Sequence, residues 1–126
     1  MKYAVIGSRK FNDYSIVKKE LDKYKDIDWI VSGKCKGVDS LGERYAEENG
    51  IPTIIYPADW KDFSEPCIKK TGKYGKYNAL AGFNRNQKII NDCDVVIAFW
   101  NKVSNGTKDS INKAKKANKK VIIVEV

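Results

Sequence analysis

The run Asp94-Val95-Val96-Ile97-Ala98-Phe99-Trp100 constrains this chain more than any other. Its unbroken, β-branched apolar character suits a strand covered on both faces, and such strands belong to parallel sheets sandwiched between helices. Shorter runs of the same kind recur at Lys2 to Ile6, Asp28 to Val31, Thr53 to Tyr56 and Val121 to Val124. Segments with helical spacing separate them. Val17, Leu21 and Tyr24 share a face in the first segment, Val38, Leu41, Tyr45 and Ala46 in the second, Ile89 and Ile90 in the third, and Ile111, Ala114 and Ala117 in the fourth. Asn12 or Asp13 can cap the first helix, Asn49-Gly50 closes the second before Pro52, and Asn84 can cap a third running to about Asp92. The alternation predicts one three-layer α/β domain over residues 1–126, its five strands mainly parallel and joined by right-handed crossovers.

In such a sheet the loops at the carboxyl ends of the strands form the ligand edge. The first strand ends in Gly7-Ser8-Arg9 and the second in Ser32-Gly33-Lys34-Cys35-Lys36-Gly37-Val38-Asp39-Ser40, while Ser104-Asn105-Gly106-Thr107 follows the run at 94–100. Glycine lets the backbone turn sharply, and a helix N-terminus offers unpaired N–H donors and a positive dipole, so two of these loops are candidate phosphate cradles. The simpler reading is that Gly33 and Gly37 make a tight connection and that Asp39 or Ser40 caps a helix. Arg85 and Asn86 fall in the first turn of the helix beginning near Asn84, where a cation opposes the dipole unless something negative sits before it. From Pro57 to Gly82 the periodicity fails, and lysine, tyrosine and glycine interleave from Lys69 to Tyr77. That stretch reads as a lid or binding loop, a short helix, a surface loop or a subunit contact.

The charge balance narrows the partners. Lysine and arginine number 24 against 16 acids, a formal net charge of +8, which favours polyanions and nucleotides alike. Only Arg9, Arg44 and Arg85 are arginines, whereas base-reading surfaces lean on that side chain. The chain has no histidine, and Cys35, Cys67 and Cys93 form no C-x-x-C pair, so histidine triads, zinc hydrolases and zinc deaminases are excluded. No metal and no resident cofactor are expected. The apolar run at Tyr3 to Ile6 is too short for a signal peptide, and no stretch is long enough to span a bilayer, which predicts a cytoplasmic protein with no membrane partner. Neither a G-x-G-x-x-G turn nor a P-loop is present, which disfavours dehydrogenases and P-loop hydrolases.

Gly7-Ser8-Arg9, Ser32-Gly33 with Gly37-Val38-Asp39-Ser40-Leu41, Pro57-Ala58-Asp59-Trp60, Ala81-Gly82 with Arg85-Asn86, Ala98-Phe99-Trp100 and Gly106-Thr107-Lys108 together resemble the YspA/YpsA-related SLOG family of Rossmann-like proteins. The likeness covers nearly the whole chain, in order. It implies a Rossmann-like fold and a pocket for a nucleotide-derived ligand such as an NAD- or ADP-ribose-related compound. Relatives of that family include lysine-decarboxylase-like phosphoribohydrolases and the DNA-binding processing protein DprA. Lys34 and Lys36 replace a glycine and an arginine common in the family. Ser110 stands where the phosphoribohydrolases carry a glutamate, with Asp109 one step earlier and turned about 100° round the helix.

The leading expectation is a binder or sensor of a nucleotide-derived small molecule, held by Gly7, Ser8, Arg9, Ser32, Gly33, Gly37, Asp39, Asp59, Trp60, Arg85, Asn86, Ser104, Gly106 and Thr107. An alternative is an N-glycosidic or phosphate-bond hydrolase with Asp39 or Asp59 as acid or nucleophile, because a carboxylate can stabilise an oxocarbenium-like state. A further alternative is a single-stranded DNA binder that uses lysines of the 61–76 stretch and the last helix. A homodimer is a secondary partner expectation.

Overall fold

In the computed structural model the described residues are 1–34, 37–64, 67–73 and 75–126. Cys35 and Lys36 of the second glycine loop, and Tyr74 of the lysine-tyrosine stretch, lie outside them. The chain runs β1 (Lys2–Gly7), α1 (Tyr14–Leu21), β2 (Trp29–Ser32), α2 (Val38–Glu48), β3 (Thr53–Ile55), β4 (Lys69–Gly72), β5 (Gly75–Asn78), α3 (Ala81–Asp92), β6 (Val95–Trp100), α4 (Asn105–Lys116) and β7 (Lys120–Glu125). Five strands form a sheet in the order β3-β2-β1-β6-β7, with every neighbouring pair parallel. The topology is Rossmann-like. The chain winds outward from β1 to β3, then returns across the sheet to β6, so the direction of winding reverses between β1 and β6.

Strand β6 is the buried run the sequence promised, with Val95 through Phe99 all buried. Alternate residues serve opposite layers, as the two-residue period of a strand requires. Tyr3, Val5, Ile97 and Phe99 join Val17, Leu21, Val38 and Tyr45 of α1 and α2 in one apolar cluster. Ala4, Ile6, Val96 and Ala98 join Ile89, Ile90, Ile111 and Ala114 of α3 and α4 in the other. Two cores therefore hold one sheet between two helical layers. No helix is long and apolar enough to cross a membrane among the described residues.

Asp13 caps α1, its side chain accepting from the Ser15 N–H at 3.1 Å, and Ser104 caps α4. Three expectations need correction. Within the 57–82 stretch, where a short helix is one reading, the described residues of β4 and β5 instead pair as an antiparallel hairpin. Helix α3 starts at Ala81, so Asn84 lies within its first turn and Leu80 stands at the cap without a side-chain bond. Arg85 then falls beyond the first four residues, and the argument from an unfavourable dipole does not apply to it. Ala117 is the C-terminal cap of α4 and is exposed, outside the apolar stripe.

Candidate functional site

A cavity of about 450 Å³ opens at the carboxyl ends of β1 and β6, where the winding of the sheet reverses. Crevices at such a reversal are the usual ligand position of open α/β sheets. One wall is the β1–α1 loop, with Gly7, Ser8, Arg9 and Lys10, together with Asp39 from the first turn of α2. The opposite wall is α3, through Gly82, Phe83, Arg85, Asn86 and Ile89. The loop after β6 and the start of α4 close a third side with Asn101, Val103, Ser104, Gly106, Thr107 and Ser110, and Trp60 stands at the rim.

The β1 loop is narrow for a physical reason. A Cβ at Gly7 would lie 2.5 Å from Val38 Cγ2 and 2.6 Å from the Phe99 carbonyl, so a side chain there would wedge β1 from β6 and α2. Ser8 is buried and holds the turn, its hydroxyl accepting from the Lys10 N–H at 3.2 Å and its carbonyl from Phe11 at 3.4 Å and Val38 at 3.3 Å. Arg9 and Lys10 are thereby directed along the cavity wall while remaining exposed. Helix α2 starts from Gly37 at φ +77°, and a Cβ there would meet the Ser8 carbonyl at 2.3 Å. Only glycine fits that conformation and that contact.

On the far wall Arg85 is 7% exposed, and its Nη1 donates to the Gly33 carbonyl at 2.6 Å. Its Nε donates to Asn86 Oδ1 at 3.0 Å. Asn86 Nδ2 passes the connection to Asp109 at 3.2 Å, and Lys113 donates to the same carboxylate oxygen at 2.6 Å. This chain of bonds ties α3 to α4 under the cavity. Ser104 and Thr107, the latter buried, bond through their hydroxyls at 3.0 Å where α4 begins. Arg9, Lys10 and Arg85 against Asp39 leave the described wall net positive, which suits an anion.

Ten of the residues expected to bind ligand thus meet on one cavity: Gly7, Ser8, Arg9, Asp39, Trp60, Arg85, Asn86, Ser104, Gly106 and Thr107. Ser32, Gly33, Gly37 and Asp59 do not line it. The bend at Ser32-Gly33 is covered by the protein itself, since a Cβ at Gly33 would fall 2.4 Å from Arg85 Nη1. Cys35 and Lys36, the middle of the cradle expected there, lie outside the described residues. Ser32 serves α2: its hydroxyl bonds Glu43, a half-buried carboxyl that desolvation pushes above its ordinary value. Gly37 carries the helix start. Asp59 is turned outward, its carboxylate accepting from the Lys61 N–H at 3.1 Å in a local turn. Gly106 is the second residue of α4 rather than part of a loop.

Sequence reasoning missed Lys10, Phe83, Asn101 and Val103 on the wall. Lys10 adjoins Arg9 and could have been included, but nothing in the sequence brings Phe83 or Val103 to the site. It also missed Asn78, a buried residue under the rim. Ser110 does line the cavity, whereas Asp109 is engaged by Lys113 and Asn86. Among the described residues, Asp39 is the only carboxylate on the wall, and no cluster of histidine, cysteine, aspartate or glutamate could hold a metal ion.

Residues 1–63 match the family model described as YAcAr, the YspA, cpYpsA-related SLOG family. No curated protein matches the chain. Among solved structures, DNA processing protein A (DprA) from Streptococcus pneumoniae is similar at TM-score 0.74 and 24% identity, over 97% of this chain and 49% of that one. DNA processing protein A from Helicobacter pylori, a structure described for its single-stranded DNA binding mode, is similar at TM-score 0.68 and 26% identity, over 98% of this chain and 64% of that one. The chain therefore spans about half of the first of these proteins and under two thirds of the second.

Proposed function

This chain belongs to the YspA, cpYpsA-related SLOG family, and on that premise we propose that it binds a nucleotide-derived small molecule in the cavity between β1 and β6. The observation that carries the reading is the union in one crevice of Arg9, Lys10 and Arg85 with the half-exposed rings of Trp60 and Phe83. Cations and the start of α4 suit phosphate oxygens, Asp39 suits ribose hydroxyls, and an aromatic rim suits a base. An NAD- or ADP-ribose-related compound has all three parts. The protein would act in the cytoplasm as a binder or sensor.

Hydrolysis in the same cavity has Asp39 as its acid, because Asp59 faces away and Asp109 is held by Lys113. Single-stranded DNA is a second reading. It is supported by the exposed lysines 69, 70, 73 and 76 on the hairpin beside Trp60, and by the fold shared with a protein described as binding that polymer.

Isothermal titration against NAD, ADP-ribose, cyclic ADP-ribose and nucleoside monophosphates tests the leading reading. Binding below millimolar is expected for at least one compound, weakened about tenfold by Arg9→Ala, since a charge-assisted bond is worth roughly 1.5–3 kcal/mol and Arg9 is exposed. Silence across the series, with Arg9→Ala indistinguishable from the parent, would refute it. Chromatography of the same mixtures separates a binder, which returns its ligand intact, from a hydrolase.

A further inference from the structure

We infer that the rim of the cavity is a stacking subsite for a nucleobase and that the β4–β5 hairpin positions it. This rests on the reading above and adds that Trp60 is the ring that selects for a base and that the hairpin fixes it before the ligand arrives. Trp60 is 41% exposed and Phe83 38%, yet both line the cavity. Large rings left half in water at the mouth of a cationic cavity offer apolar faces to a flat ligand.

Trp60 is held in place. Its carbonyl accepts from the Asn78 N–H at 2.7 Å. Its indole meets the Tyr77 ring edge-on, with centroids 6.3 Å apart and planes at 73°. Gly82, in the first turn of α3, lies under the same indole: a Cβ there would sit 3.6 Å from Trp60 Cη2. Asn78 is 1% exposed, and both ends of its amide are engaged. Oδ1 accepts from Ile68 at 3.2 Å and Leu80 at 2.9 Å, and Nδ2 donates to the Asp62 carbonyl at 3.1 Å. One buried amide thus ties the segment after Trp60, the start of β4 and the approach to α3 into a single support. A ring fixed before the ligand arrives loses little freedom on stacking.

The cations of the β1 loop and the rings at the rim belong to different walls of the cavity. A ligand spanning both carries phosphate at one end and a flat heteroaromatic ring at the other, which describes a nucleoside phosphate. A sugar phosphate without a base would leave the rim empty.

Titrating the intact chain with adenosine 5′-monophosphate, ribose 5-phosphate and inorganic phosphate tests this. The nucleotide is expected to bind about tenfold more tightly than ribose 5-phosphate, a typical contribution of one stacked base. Trp60→Ala should remove that preference and leave ribose 5-phosphate unchanged, while Trp60→Phe should keep most of it. Asn78→Ala should reduce the preference in the same direction, because the support rather than the phosphate contact is lost. Equal binding of nucleotide and ribose 5-phosphate by the parent would overturn the base subsite and leave the phosphate reading standing. Equal weakening of both ligands by Trp60→Ala would do the same. Failure of all three compounds to bind would overturn the subsite, and the phosphate reading would fall with it only if NAD and ADP-ribose also failed to bind.

Discussion

Gly33 and Gly37 sit in the same loop and are required for different reasons. At Gly37 the backbone is at φ +77° and ψ −129°, and a Cβ would press on the Ser8 carbonyl and the Arg9 backbone, neither of which can rotate aside. At Gly33 the obstacle is the guanidinium of Arg85, the far end of a flexible side chain. Gly37→Ala should therefore destabilise the fold by about 2 kcal/mol or more, as expected for a strained glycine-only conformation that also carries a clash. Gly33→Ala should cost less in chemical denaturation but displace Arg85 from its bond to residue 33 and weaken nucleotide binding. Urea unfolding and titration of both variants check this. Comparable loss of stability in the two, or undisturbed binding in Gly33→Ala, would contradict the assignment of Arg85 to the cavity wall. The Arg85–Gly33 bond spans 52 residues, and neither partner advertises it: Gly33 reads as a turn or a phosphate cradle and Arg85 as a ligand contact, and nothing in the sequence pairs the two.

Elements were readable where burial dictates composition. Strand β6 is covered on both faces and must be apolar throughout, and α2 buries a stripe at helical spacing. The hairpin obeys no such rule: β4 is fully exposed and only Asn78 of β5 is buried, so no alternation marks it, and β5 opens on Gly75 at φ +102°. Helix α3 lacks a side-chain cap, and Asn84 three residues inside it imitates one. Its other end is more telling. Asp92 accepts from Lys2 Nζ at 2.7 Å and from the Tyr56 hydroxyl at 2.6 Å, joining the end of α3 to the start of β1 and the residue after β3. The Lys2 ammonium first, and then the Tyr56 hydroxyl, hold this carboxyl below its ordinary value of 3.8. A depressed carboxyl stabilises the fold above its unfolded-state pKa, and that contribution disappears as pH falls through the folded-state value. Asp92→Asn should therefore destabilise the fold at pH 7 by about 1 kcal/mol after allowance for the partly exposed pair, seen as a lower melting temperature, and the gap to the parent should close in strong acid. A deficit that persists unchanged in acid would mean that packing, not charge, is what Asp92 supplies.

At the scale of the whole molecule, the reversal of winding between β1 and β6 brings a basic loop and a helix start to one crevice, and the net charge of +8 adds a long-range attraction for anions. The same attraction would draw in DNA, so affinity alone does not separate the two partner classes, but its dependence on salt does. A mononucleotide presents a small fixed charge to Arg9 and Lys10 and releases few counterions. A single strand lying along the exposed lysines 69, 70, 73 and 76 would neutralise about four phosphates, for a slope of about −3 in log affinity against log salt. Raising salt from about 50 to about 200 mM should then cost an oligonucleotide about fiftyfold and a cavity-bound nucleotide only a few-fold. Fluorescence titrations of an oligothymidylate and of adenosine 5′-monophosphate at both salt levels measure the difference. Replacing Lys69 and Lys70 by alanine should flatten the oligonucleotide slope and leave the nucleotide untouched, because neither lysine lines the cavity. If instead the nucleotide is lost as steeply as the oligonucleotide, the attraction resides in the general field of the protein, and the crevice between β1 and β6 does not select its guest.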